Sequence, residues 1–91
     1  MKKTYEIWAL AYDKDYNIKD FDQLIGEFNS KSEAISYAKK MDVNDVVEKD
    51  KLLEDDIVHI QVETVVESKG GFENIDTLYE ADYTLKDEIL I

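Results

Sequence analysis

Two neighbouring segments that alternate apolar and polar residues constrain the fold of this chain most strongly. They are DIVHIQVETVVE at residues 56–67 and IDTLYEADYTL at residues 75–85. Alternation with a period of two is typical of strands that bury one face, and the Gly70-Gly71 pair between the segments suits a tight turn. The sequence therefore predicts an antiparallel β-hairpin. Its inward residues are predicted to be Val58, Ile60, Val62, Val66, Ile75, Tyr79, Ala81, Tyr83 and Leu85.

The outward residues of this hairpin limit its register. They are predicted to be His59, Gln61, Glu63, Asp76, Glu80 and Asp82. Parity allows a register with His59 opposite Asp82 and Gln61 opposite Glu80, or a neighbouring one with Glu63 opposite Glu80. Because like charges directly opposite each other are destabilising, we expect the first register.

The first half of the chain supplies two further strands. TYEIWALAY at residues 4–12 is apolar on both faces, which is typical of a central strand. One face carries Tyr5, Ile7, Ala9 and Ala11, and the other carries Trp8, Leu10 and Tyr12. QLIGEF at residues 23–28 predicts a second short strand, with Gly26 at a bulge or a close approach of backbone.

The clearest helix signal is NSKSEAISYAKKM at residues 29–41. Ser30 followed three residues later by Glu33 has the form of a capping box. An apolar stripe at helical spacing follows, formed by Ala34, Ile35, Ala38 and Met41. Residues 42–55 leave two readings open, a loop or a short second helix capped by Asp42 or Asn44.

These elements predict an α+β fold, a small four-stranded and largely antiparallel sheet in the order β-β-α-β-β. One main helix packs on one face, and a short second helix is optional. Because Ala34 and Ala38 are small, we expect them to contact Ala9 and Ala11 closely. The chain has 91 residues without proline, repeats or a low-complexity linker, which predicts a single domain over residues 1–91.

Composition excludes several function classes. Without cysteine, disulfides, thiolate chemistry and cysteine-based zinc sites are impossible. All eleven basic residues are lysine, so the bidentate fork that phosphate sites favour is missing. Glu6 and Asp13 interrupt the apolar run near the N-terminus before it forms a secretory signal, and no run approaches a membrane span. We therefore predict a cytoplasmic protein without membrane contact.

Negative charge is concentrated in the C-terminal part of the chain. The net charge is −11, and residues 54–91 hold eleven acids but only Lys69 and Lys86, a net −9. Such a charge repels the phosphate backbone, so direct nucleic-acid binding is disfavoured. The Lys, Ile, Asp, Glu, Tyr and Asn bias suits a low-G+C bacterial genome or its phages and mobile elements.

The segment YDKDYNIKDFDQL at residues 12–24 has acids and an amide at alternate positions, as in a calcium-binding loop. An EF-hand loop that began at Asp13 would need glycine at its sixth position and glutamate at its twelfth. Those positions hold Ile18 and Leu24. The segment is therefore interpreted as a polar connection between two strands.

His59 is the only imidazole, and Asp82 or Glu63 near it could orient a general base. Since Ser30 is needed as a helix cap, no nucleophile accompanies it, and we expect an ordinary strand histidine. The pair Glu80 and Asp82, or the acidic run at residues 54–56, could hold magnesium. Alternating acids are usually the solvated face of a strand, so we expect neither a metal nor a cofactor.

The leading hypothesis is a small, non-enzymatic acidic interaction domain whose C-terminal hairpin binds a protein partner with a basic surface. Its sharper version is a nucleic-acid mimic, in which carboxylates replace phosphates, as in phage-encoded inhibitors. The residues predicted to bind the partner are Glu63, Asp76, Glu80, Asp82, Trp8, Leu10 and Tyr12. The alternatives are a homodimer, to which the aliphatic end of the tail at residues 86–91 could contribute, and a small enzyme or ligand-binding domain that uses His59 with Glu80 or Asp82.

Overall fold

The four predicted strands form one antiparallel sheet in the computed structural model, which describes residues 2–84. The strands are β1 (Lys2–Tyr12), β2 (Ile18–Phe28), β3 (Ile57–Ser68) and β4 (Gly71–Thr84), in the spatial order β2-β1-β3-β4. The α+β class and the central position of β1 are confirmed. Leu85 and the tail at residues 86–91 lie outside the described residues.

The predicted register of the hairpin is confirmed where Ile57–Val62 of β3 pairs with Tyr79–Thr84 of β4. His59 pairs with Asp82, and Gln61 pairs with Glu80. On the inward side, Val58, Ile60 and Val62 pair with Tyr83, Ala81 and Tyr79. The turn joins Ser68 to Gly71, whose φ of 114° falls in the left-handed region that glycine tolerates.

Beyond these pairs, two irregularities in β4 overturn the predicted alternation. The pairing skips Leu78 between Val62 and Glu63 and skips Ile75 between Thr64 and Val65. Because each extra residue shifts the parity of the strand by one, Asp76 pairs with Thr64. Ile75, predicted to face inward, is 50% exposed.

Strand β2 begins at Ile18, earlier than the predicted residue 23, because the polar connection before it is short. A bulge next to Gly26 is confirmed, since Gly26 pairs with Ile7 and Leu24 pairs with Trp8, which leaves Ile25 unpaired. A Cβ atom on Gly26 would lie 3.1 Å from Cε1 of Phe28. The group that lies close to this glycine is therefore the side-chain ring of Phe28, and of the two predicted features the bulge is the one present.

Helix α1 spans Lys31–Lys40 and begins at the predicted cap. The hydroxyl of Ser30 accepts a hydrogen bond from the backbone N–H of Glu33 at 3.4 Å. The optional second helix is present as α2 (Val43–Val46), and the carboxylate of Asp42 caps it by accepting from the N–H of Asn44 at 3.0 Å. A short 3₁₀ turn, Lys49–Lys51, follows.

One core lies between α1 and the sheet. Ala34 and Ala38 of α1 are fully buried in one cluster with Ala9 of β1, as predicted from their small side chains. Ala11, which was also predicted to contact them, is fully buried but is not a member of that cluster. The other members of this cluster are Ile7, Val43, Val47, Val58, Ile60 and Val62. Small residues let the helix approach the sheet closely, so packing density on this side comes from backbone proximity as well as from aliphatic volume.

The connection between β1 and β2 is organised by Asp13, as expected for a polar strand connection. Its Oδ1 accepts from the backbone N–H groups of Asp15 at 2.8 Å and Asn17 at 2.9 Å, and its Oδ2 accepts from the side-chain amide of Asn17. These bonds, led by that from the Asn17 backbone, lower the pKa of Asp13 below its ordinary value of 3.8. Tyr16 adopts a left-handed φ of 64° at the turn.

Candidate functional site

The sheet has one face packed against α1 and one face turned away from it, which we call the open face. Because Ile7, Ala9 and Ala11 of β1 are buried on the helix side, the even-numbered residues of β1 point to the open face. Trp8, Leu10 and Tyr12 form a half-buried row along this central strand. They pair with Gln61, His59 and Ile57 of β3. The predicted row of apolar side chains beside the hairpin is therefore present.

Carboxylates surround this row on three strands besides β1. By the register, the acids on the open face are Glu6, Asp22, Glu27, Glu63, Glu67, Glu80 and Asp82. Among the paired strand residues, the one lysine on this face is Lys2, which lies opposite Glu67 at the end of the sheet. The face thus combines an apolar centre with a strongly negative border.

Two of these carboxylates face each other across the central strands. Glu6 of β1 pairs with Glu63 of β3, and only 8% of Glu63 is exposed. Burial, and then the charge of Glu6, raise the pKa of Glu63 above its ordinary value of 4.5. The side chains are held by neighbours, since the Trp8 indole N–H donates to Glu6 at 2.9 Å and the Gln61 amide donates to Glu63.

A cavity of about 250 Å³ opens above this pair. Its lining comprises Glu6, Trp8, Leu10, Asp22, Gln61, Glu63 and Asn74. The cavity is small, and it joins carboxylates to the indole and to an aliphatic side chain. A lysine side chain, with an apolar stem and a terminal ammonium, is complementary to this lining.

His59 lies between two carboxylates of β4. Its Nδ1 is 2.6 Å from Oδ1 of Asp82, and its Nε2 is 3.4 Å from Oε1 of Glu80. The edge of the ring contacts Tyr12, with the centroids 6.1 Å apart. A general base needs one ring nitrogen directed at the substrate, whereas both nitrogens here face carboxylates. The geometry favours a cross-strand contact that fixes the positions of Glu80 and Asp82.

Six of the seven residues predicted to bind a partner share the open face. They are Trp8, Leu10, Tyr12, Glu63, Glu80 and Asp82. Asp76 is separated from them, because the bulge at Leu78 places it opposite Thr64. It therefore lies on the helix side of the sheet, where Val62 also lies. Sequence reasoning missed Glu6, although its position two residues before Trp8 marks the same face. It also missed Asp22 and Glu27, whose orientation depends on the bulge in β2.

A larger groove of about 830 Å³ lies on the other side of the molecule, along α1 and α2. Its lining includes Phe28 and Tyr37, whose ring centroids are 5.4 Å apart, together with Met41 and Val46. The charged residues of the lining are the acids Glu33, Asp42 and Asp45, and one lysine, Lys40. The sequence did not predict this groove, because it depends on how α2 turns back beside the end of α1.

Within residues 2–84, no group of three or more acidic or histidine side chains is arranged to hold a metal ion. No helix in that range has the length and apolar character needed to cross a membrane. No protein-family model, curated protein or solved structure matches the chain. The geometry and charge of the open face are therefore the basis for a functional proposal.

Proposed function

We propose that this protein is a non-enzymatic interaction domain whose open face binds a basic surface on a protein partner. The observation that carries the proposal is the imbalance of charge on that face, seven carboxylates against Lys2. Structural ion pairing would neutralise such a set with lysines of the same sheet, and the register does not supply them. A basic partner would supply the missing positive charges.

The apolar row adds side chains for direct contact with a partner to the negative electrostatic potential of this face. Trp and Tyr are enriched among the residues that dominate binding energy at interfaces, and Trp8 and Tyr12 are half-buried on β1, an inner strand of the face. The surrounding carboxylates would steer a basic partner and accelerate association. Since the Debye length at physiological salt is about 8 Å, association should slow steeply as salt is added.

The sharper version is a nucleic-acid mimic. Glu80 and Asp82, two positions apart on β4, are separated by roughly 6.6 Å along the strand, and adjacent strands lie about 4.8 Å apart. Carboxylates on several strands therefore form a dense negative array, as phosphates do on a duplex with one charge per roughly 3.4 Å of each strand. A partner that binds nucleic acid would recognise this array.

The test is affinity capture from a bacterial lysate at low and high salt with three baits. The first is the wild-type chain, and the second carries Glu67→Lys, Glu80→Lys and Asp82→Lys, all exposed positions on the open face. The third carries Asp15→Lys, Asp45→Lys and Asp50→Lys, which make the same charge change at exposed positions away from that face. Glu63 is left intact because it is buried.

We expect the wild type and the third bait to capture the same basic protein at low salt, and the second bait to lose it while still folded by circular dichroism. Displacement of the captured protein by duplex DNA would support the mimic version. Capture that is equal for the second and third baits would overturn the proposal. So would recovery of the baits alone as a salt-insensitive dimer.

A further inference from the structure

The outer edge of β4 is a regular template for an additional strand. Over Tyr79–Thr84 the pairing with β3 runs without interruption. Since β4 is the last strand in the order, its other side has no neighbouring strand within the part of the chain that the structure describes. An edge of this kind presents unpaired backbone donors and acceptors to an extended peptide.

The two sides of this edge differ in chemistry. Towards the open face, Glu80 and Asp82 project at alternate positions and are 59% and 46% exposed. Towards the helices, a hollow of about 560 Å³ separates the end of β4 from the junction of α1 and α2. Met41, Val43 and Tyr83 supply the apolar part of the lining of this hollow, and Lys40, Asp42, Asn44, Asp82 and Thr84 supply a polar part of similar extent.

An incoming strand would direct alternate side chains to these two sides, because successive side chains of a strand point to opposite faces. From this we infer that the partner pairs with the edge of β4 as an extended segment in which basic and apolar residues alternate. The basic side chains meet Glu80 and Asp82, and the apolar side chains contact Met41 and Tyr83 in the hollow. The inference deepens the proposed function and rests on it.

Neither a second copy of β4 nor the opposite edge of the sheet fits this role. Antiparallel pairing of two β4 edges would bring the acids of one copy against those of the other, which is unfavourable. At the opposite edge, β2 is interrupted by bulges. The side chain of Gln23 also ties β2 to the α2 region, since it donates to the carbonyl of Val46 at 2.8 Å and accepts from the N–H of Glu48 at 2.9 Å.

The experiment measures the affinity of the full-length chain for blocked eight-residue peptides. One peptide alternates lysine with valine, and a second has the same composition with the lysines and valines in consecutive pairs. Both carry the same charge, so they differ only in whether one face of an extended strand is basic and the other apolar. Two further alternating peptides are N-methylated at every second residue, each on one of the two hydrogen-bonding edges.

We expect the alternating peptide to bind about tenfold more tightly than the paired one, a difference of roughly 1.4 kcal/mol. One N-methylated peptide should lose binding and the other should retain it, because an added strand uses one of its edges. In the protein, Glu80→Lys with Asp82→Lys should abolish the preference. Glu27→Lys with Glu67→Lys, on the same face but outside the Tyr79–Thr84 edge, should lower the affinity for both peptides and preserve the preference.

The outcomes separate this inference from the proposed function. Equal binding of the alternating and paired peptides, with equal effects of both N-methyl patterns, would overturn strand addition and leave recognition of charge by the open face standing. Absence of binding by every peptide at low ionic strength would overturn both. A preference that survives Glu80→Lys with Asp82→Lys would place the docking edge elsewhere and contradict the inference.

Discussion

The two faces of the sheet use the same strands for different purposes. On the helix side, Ile7, Ala9, Val58, Ile60 and Val62 have no exposed surface. On the open face, the neighbouring residues of the same strands are half-buried aromatics, histidine and carboxylates. Because alternation assigns neighbouring residues to opposite faces, one parity of the sequence specifies the core. The other parity is free to carry a charged surface, on which the paired strand residues include seven acids and Lys2.

The largest effect that this comparison predicts is on stability. Ile60→Ala removes a fully buried side chain from the core and should lower the free energy of unfolding by about 3 kcal/mol. Leu10→Ala, on the open face, should lower the free energy of unfolding by about 1 kcal/mol, because Leu10 is only half-buried. Urea denaturation followed by circular dichroism measures both values. Equal losses would show that the two faces are packed alike and would break the comparison.

A smaller effect of opposite sign is expected at the acidic pair of the open face. Glu63→Gln removes a buried charge from beside Glu6, and should raise the free energy of unfolding at pH 7 by about 0.5 to 1 kcal/mol. Because folding raises the pKa of Glu63, ionisation costs more in the folded chain than in the unfolded one. The advantage of glutamine should therefore appear as the pH rises above 4.5 and disappear well below it.

Denaturation of both proteins at several pH values measures this difference. The matched control is Glu67→Gln, an exposed acid of the same strand and face, which should change stability little. A loss of stability on replacing Glu63 at pH 7 would contradict the account, because it would mean that the charged form is favoured in the fold.

The smallest effect is a separation of two titrations. We expect Glu63 to titrate above 4.5, where burial and Glu6 oppose its charge, and Asp13 below 3.8, where backbone N–H groups stabilise its charge. The contribution of Asp13 to stability should be present at neutral pH and lost as the pH falls through its lowered pKa. Carboxyl carbon chemical shifts followed by NMR would test both directions. Superimposed titrations near the ordinary values would contradict the difference between these sites.

Much of the fold follows from the sequence by parity. The pairing of His59 with Asp82 was predictable because like charges disfavoured the neighbouring register, and the cap at Ser30 was predictable from its spacing to Glu33. The bulges in β4 were not predictable, since LYEADYT and ENIDT alternate too loosely to show which residue is extra. For that reason Asp76 was assigned to the wrong face, and Ile75, which was predicted to face inward, is half exposed.

The parts of the candidate site that depend on alternation within one regular strand were predictable. The parts that depend on which residues of two distant strands pair were not. Trp8, Leu10 and Tyr12 follow from the parity of β1 alone. The apposition of Glu6 and Glu63 requires the register between β1 and β3, which are separated by the helices in the chain. The sequence contains no local turn that fixes this register. The groove along α1 and α2 was missed for a similar reason.

The most direct test of the central claim uses Trp8, the only tryptophan, as a reporter on the open face. The indole N–H of Trp8 is hydrogen-bonded to Glu6, so its NMR signal should respond to a cation that binds there. In a titration of the labelled protein with an octalysine peptide, we predict a large, salt-reversible shift of this signal and little change at Tyr37 in the groove. Shifts centred on Tyr37, with the Trp8 signal unmoved, would contradict the account.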